Sequence, residues 1–145
     1  MIKNVGVDVH IEGGAYTGGL VGLMSDGSID RAYVTGSVKG GTNVNPAAVT
    51  GGLAGGAIGE ITRSFSLASV VSGTAPNIYV GGLAGSQGRG GISDSYALGN
   101  VSNQTSDNYY LLSAGLVSHI VRGSVQRTYA AGMSTSPIWR GHPTR

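Results

Sequence analysis

The sequence predicts an all-β fold, a β-solenoid of about four coils with a period of 30–33 residues. Glycine accounts for 27 of the 145 residues, far above its usual share of about 7%, and it weakens the interior of a helix. The apolar content of 40% and the net charge of +2 do not fit a disordered chain. The third observation is an internal repeat, which decides the architecture.

Four copies of one pattern follow each other along the chain. Each copy has a leucine, an Ile or Val eight or nine residues later, and an aromatic residue four residues beyond that. The leucines recur at steps of 33, 30 and 33 residues. The three resulting columns are Leu20, Leu53, Leu83 and Leu116; Ile29, Ile61, Ile92 and Val125; and Tyr33, Phe65, Tyr96 and Tyr129. We expect each column to form a ladder, with each side chain packing on its counterpart in the next coil.

The content of each copy indicates strands and not helices. Short apolar clusters are separated by Gly, Ser and Thr, which is typical of strands of about five residues joined by turns. A double glycine precedes each of the first three leucines. It predicts either a positive φ or close packing of one coil on the next.

A charged column lies between the isoleucine and aromatic columns. Its members are Arg31, Arg63, Asp94 and Arg127, which we expect to point to water. Strict alternation along a strand would put the isoleucine, charged and aromatic columns on one face. Either the chain bends between the columns, or the aromatic column covers an outer surface. We favour a bend, with small residues at an inward corner: Ala32, Ser64, Ser95 and Thr128.

The repeated pattern resembles the GLUG repeat of bacterial surface proteins over residues 16–133. The resemblance rests on GGLVG or GGLAG, then an Ile, a small residue and a Tyr or Phe, and finally a glycine and a valine. That family includes large adhesins of the haemagglutinin type and non-catalytic regions of immunoglobulin-cleaving metallopeptidases. The resemblance implies a β-rich scaffold located outside the cell or on its surface. The alternative location, which goes with assembly through the solenoid ends, is a virion or another extracellular assembly. It carries over no catalytic residue.

The chain divides into three parts in this interpretation. Residues 1–15 form an N-terminal partial coil or cap, residues 16–135 the four repeats, and residues 136–145 a C-terminal cap or tail. Pro137, Trp139 and Arg140 are the candidates for a plug or docking point at that end. Uncapped strand edges invite association, so the ends either cap a monomer or dock on copies of the chain or on other proteins.

Length variation is concentrated in one connection of the repeat. The interval from the isoleucine to the following valine is always 9 residues, whereas the valine and the next leucine are 15, 13 and 15 residues apart. Loops that vary from repeat to repeat are where solenoids usually bind. The candidate loop for a protein or glycan ligand contains Asn103, Asp107, Asn108, Tyr109 and Tyr110.

Composition argues against several other functions. The seven acidic residues are dispersed, without a pair suited to acid–base catalysis, and the three histidines lack metal-ligand spacing. We therefore expect no enzyme activity, no metal and no cofactor. The net charge of +2 is too small to indicate binding of nucleic acid. No apolar run approaches the roughly 20 residues of a membrane span. The prediction is a structural or adhesive surface module that binds through loops on one edge, with a self-assembling structural subunit as the alternative.

Overall fold

The computed structural model describes residues 1–104 and 110–133. Within those ranges the chain forms fourteen β-strands and no helix. The strands pair in parallel across a ten-stranded and a four-stranded sheet. The chain makes about three turns with a period of about 32 residues, which confirms the predicted β-solenoid. The sequence predicted about four coils because it contains four copies of the repeat. Three full turns of the chain lead from the first copy to the fourth.

Each copy contributes three or four strands, and one further strand, β1 (Ile2–Glu12), precedes the first copy. The first two copies contain β2 (Tyr16–Gly18), β3 (Val21–Met24) and β4 (Ser28–Lys39), followed by β5 (Ala47–Gly51), β6 (Ala54–Thr62), β7 (Phe65–Ser66) and β8 (Ser69–Val71). The last two contain β9 (Asn77–Gly81), β10 (Ala84–Ala97) and β11 (Val101–Ser102), followed by β12 (Tyr110–Ala114), β13 (Val117–Ile120) and β14 (Ser124–Ala130). Strand β1 pairs with β4 and so lies beside the first copy.

The leucine and isoleucine columns form the interior. The amide of Leu53 donates to the carbonyl of Leu83 at 2.8 Å, and the amide of Leu20 donates to the carbonyl of Leu53 at 3.0 Å. Ile61 lies opposite Ile29 on one side and Ile92 on the other. These backbone bonds hold like side chains one coil apart, so each packs on its counterpart. One continuous core buries Leu53, Leu83 and the three isoleucines fully, and Leu20, Leu116 and Val125 border it.

The charged column makes the bend that the sequence suggested. Arg31, Arg63, Asp94 and Arg127 have φ of 53°, 48°, 51° and 49°, and Asn4 of β1 has φ of 56°. A left-handed residue interrupts the alternation of side chains along a strand. The charged side chain therefore points outward and the next, small side chain points inward: Ala32, Ser64 and Ser95 are buried.

The inward corner explains why small polar residues follow the bend. The hydroxyl of Ser64 accepts a hydrogen bond from the amide of Ala32 at 3.1 Å, and the amide of Ser64 donates to the hydroxyl of Ser95 at 3.2 Å. These bonds replace backbone pairing that the left-handed residue removes. Beyond the corner the side chains again alternate between inward and outward. The bend therefore does not bury the aromatic column but leaves it on the outer surface.

The double glycines allow close packing of the coils. A Cβ on Gly52 would collide with the carbonyl oxygen of Gly82 and the hydroxyl of Ser66. A Cβ on Gly51 would collide with Ala54 of its own coil and lie 2.6 Å from the Cα of Ala84 in the next. Neither glycine has a φ in the left-handed region, so close packing is the reason for glycine here.

Candidate binding surfaces

The variable connections lie along one edge of the solenoid, and hydrogen bonds join the described residues of successive connections. The amides of Asn43 and Val44 donate to the hydroxyl and the carbonyl of Thr74, at 2.6 and 2.9 Å. Gln104 donates to Ser72 twice, from its amide at 3.2 Å and from its side chain at 2.7 Å. In the described residues the stacking of the coils therefore continues into their connections, which we call the loop edge (residues 40–46, 72–76, 102–104 and 110).

Of the five predicted ligand residues, the structure describes Asn103 and Tyr110. Asp107, Asn108 and Tyr109 fall outside the described residues. Asn103 follows β11, and its side-chain oxygen is buried. Tyr110 begins β12 and is 56% exposed.

Tyr110 belongs to a cluster of rings that sequence reasoning did not assemble. Its ring meets the ring of Tyr79 edge-on, with 6.1 Å between centroids. Tyr79 in turn stacks on His119 at 4.9 Å. The three rings come from β9, β12 and β13, so only the winding of the chain brings them together. The cluster offers apolar ring surface beside phenol and imidazole groups that form hydrogen bonds.

The aromatic column is a second exposed surface, here called the aromatic stripe (Tyr33, Phe65, Tyr96 and Tyr129). Its ring centroids are 5.2, 4.9 and 4.9 Å apart, and neighbouring ring planes are within 7° of parallel. Tyr33 is 43% exposed and Tyr129 56%. Two exposed leucines, Leu67 and Leu98, follow the stripe at two residues' distance.

The charged column beside the stripe is a set of ion pairs. Asp30 is almost fully buried and accepts hydrogen bonds from the hydroxyl of Thr62 at 2.7 Å and from Nε and Nη2 of Arg63 at 2.8 and 2.9 Å. Arg31 adds a longer contact of 3.3 Å. The hydrogen bond from Thr62, followed by that from Arg63, lowers the pKa of Asp30 below its ordinary value of 3.8.

Two coils further along, Asp94 pairs with Arg127. The guanidinium donates from Nε and Nη2 at 2.6 and 3.1 Å. This hydrogen bonding lowers the pKa of Asp94 and raises the pKa of Arg127. The carboxylates of Asp30 and Asp94 are thus each held by arginine, an arrangement that stabilises their charge and does not suit proton transfer.

The ends of the solenoid are a third surface. Pro137, Trp139 and Arg140 fall outside the described residues. In residues 1–104 and 110–133, β1 pairs only with β4 and β14 only with β10. Asn4 of β1 and Arg127 of β14 both occupy the left-handed position of the bend. The two terminal strands therefore share this left-handed bend residue.

The described part of the chain, residues 1–104 and 110–133, contains neither a cluster of metal ligands nor a membrane-spanning helix. No group of three His, Asp or Glu able to hold a metal ion occurs among these residues. Nor does the described part contain a helix long and apolar enough to cross a membrane.

The ladders, the parallel register and the period define this chain as a repeat protein of the β-solenoid class. Two of its segments, residues 13–39 and 76–102, match the GLUG motif. The chain therefore contains GLUG motif repeats, and the resemblance seen in the sequence is confirmed. The matched segments cover β2 to β4 and β9 to β11, the strands of the first and third copies. No curated protein and no solved structure matched the chain.

Proposed function

We propose that this GLUG-repeat solenoid is a non-enzymatic adhesive module that binds a protein or glycan through the loop edge, outside the cell or on its surface. The observation that carries the proposal is the ring cluster of Tyr79, Tyr110 and His119, which stands at the loop edge with Tyr110 exposed. Tyrosine is enriched among residues that dominate binding energy.

The rigidity of the scaffold supports this assignment. The described parts of the connections are hydrogen-bonded from coil to coil, so little conformational entropy is lost there when a ligand binds. Asp30 and Asp94 are each paired with an arginine of the charged column. The chemistry present is that of recognition and not of bond cleavage.

The test compares Tyr110→Ala with the matched control Tyr16→Ala. Tyr16 is similarly exposed, at 47%, but lies in the first copy. The purified chain and both variants are applied to a glycan array and to immobilised collagen and fibronectin. We expect selective binding of at least one probe, weakened about tenfold by Tyr110→Ala because an aromatic anchor is lost, and unchanged by Tyr16→Ala. Equal binding by all three forms would refute a role for the loop edge.

A second candidate function is a structural subunit that assembles through the solenoid ends, in a fibre or a virion-like assembly. The left-handed bend residue that β1 and β14 share favours it, because each strand pairs with one neighbour among the described residues and a strand with the same bend can extend the ladder. Light scattering and electron microscopy separate the two functions. Polymers that persist on dilution support assembly, whereas a monomer that binds the probes supports the adhesive module.

A further inference from the structure

We propose that the aromatic stripe is a second binding site, which takes an extended, neutral β-1,4-linked glycan lying along the solenoid axis. The site is independent of the loop edge, since its residues come from β4, β7, β10 and β14. It gives the chain a defined class of ligand whether or not the loop edge binds.

The spacing of the rings is the first argument. The four centroids succeed each other at steps of 5.2, 4.9 and 4.9 Å, because parallel strands lie about 4.8 Å apart. A β-1,4-linked pyranose chain is a flat ribbon whose advance per sugar is close to this step. One sugar can therefore face each ring along the row, and four sugars cover the stripe.

The tilt of the rings is the second argument. If these parallel rings were in full face-to-face contact, their centroids would be closer together than the observed distances. Neighbouring rings are therefore stacked with an offset. Tyr33 shows the direction of the offset: its ring and hydroxyl occupy the space that a side chain on Gly6 would take. The stripe thus exposes ring edges, parts of ring faces and the hydroxyls of Tyr33, Tyr96 and Tyr129 to a ligand.

The flanks of the stripe are the third argument. Leu67 and Leu98 are about two-fifths exposed on one side. The side chains of Arg31, Arg63 and Arg127 are more than half exposed on the other. A sugar ribbon has apolar C–H surfaces and hydroxyl edges, which match an apolar wall beside a polar one.

Charge pairing selects a neutral ligand. Arg63 and Arg127 each bind a carboxylate through two nitrogens. The three arginines and two aspartates leave a single net positive charge. Acidic polymers and nucleic acids bind by neutralising unpaired cations, and this surface offers them little.

Calorimetric titration with cellohexaose, chitohexaose and cellobiose tests the proposal. We expect at least one hexasaccharide to bind, and cellobiose to bind at least about tenfold more weakly because it reaches only two rings. Cellohexaose and chitohexaose differ at the sugar 2-position, so their ratio identifies the preferred chain. Hexagalacturonate is the acidic comparison and is expected to bind more weakly.

Variants locate the site. Tyr96→Ala and Leu98→Glu are expected to weaken hexasaccharide binding about fivefold or more, whereas Phe65→Tyr keeps it. Leu98 is exposed, so its variant tests the site even if Tyr96→Ala does not fold. Tyr16→Ala is the control and should leave this binding unchanged. Failure of both neutral hexasaccharides to bind folded protein at millimolar concentration would overturn the proposal, as would tighter binding of hexagalacturonate or an equal loss in Tyr16→Ala.

Discussion

Replacing Leu53 by alanine should be among the most destabilising single changes in this chain. Leu53 has no exposed surface and lies between Leu20 and Leu83 in the leucine ladder. Truncation of a buried leucine costs about 2.7–5 kcal/mol, and more when the cavity cannot collapse. Backbone hydrogen bonds of 3.0 and 2.8 Å fix the neighbouring coils at constant spacing, so we expect the upper half of that range, about 4 kcal/mol. The loss is a large part of a typical total of 5–15 kcal/mol.

Urea unfolding followed by circular dichroism measures this cost against two matched leucines. Leu116, the half-buried end of the same ladder, should lose about half as much when replaced by alanine. Leu23, which is 48% exposed, should lose less than about 1 kcal/mol. Because solenoid repeats can unfold separately, both the midpoint and the slope of each transition are compared. The reasoning fails if Leu53→Ala costs no more than Leu23→Ala.

Two further predictions concern the buried Asp30 and the double glycines. The depressed pKa of Asp30 gives a contribution to stability that is present above its ordinary pKa of 3.8 and lost as the pH falls through the lower folded value. Asp30→Asn should therefore be less stable than the parent near pH 5, and the difference should shrink as the pH falls below the ordinary pKa of 3.8; a constant difference in urea midpoint would contradict this. Gly52→Ala should destabilise by more than about 1 kcal/mol because its Cβ meets the carbonyl of Gly82. Gly14→Ala, with open space around it, should be neutral or stabilising in thermal unfolding. Equal effects of the two changes would argue against close packing of the coils at the double glycines.

The ladders could be predicted from the sequence because stacking repeats one environment in every coil. Ile29, Ile61 and Ile92 occupy equivalent positions, so the same requirement selects the same residue each time. The close approach at the double glycines follows from the same repetition, since only glycine leaves room at Gly52.

The face of the aromatic column could not be predicted, because it depends on the backbone at the charged residues. Positive φ is uncommon outside glycine, although asparagine and aspartate adopt it more readily. Asn4 and Asp94 fit that preference, whereas Arg31 and Arg63 give no sequence signal for it.

Contacts between different columns were also beyond sequence reasoning. Asp30 binds Arg63, which follows it by 33 residues and stands one column further along. Tyr79 stacks on His119, although the two residues occupy different strands of successive copies. Alignment of the copies shows which residues share a column and not how neighbouring columns meet across a corner.

The stacking of successive coils in parallel register is the central claim, and spin labels on the outer face test it most directly. The chain contains no cysteine, so pairs of introduced cysteines are labelled uniquely. Leu67 and Leu98 follow the paired residues Ser66 and Ala97, and Thr35 follows Val34, which pairs with Ser66. Continuous-wave electron paramagnetic resonance should show strong coupling for labels at 67 and 98, one coil or about 5 Å apart. It should show weaker coupling for labels at 35 and 98, two coils or about 10 Å apart. Absence of coupling in the first pair, or stronger coupling in the second, would contradict the solenoid.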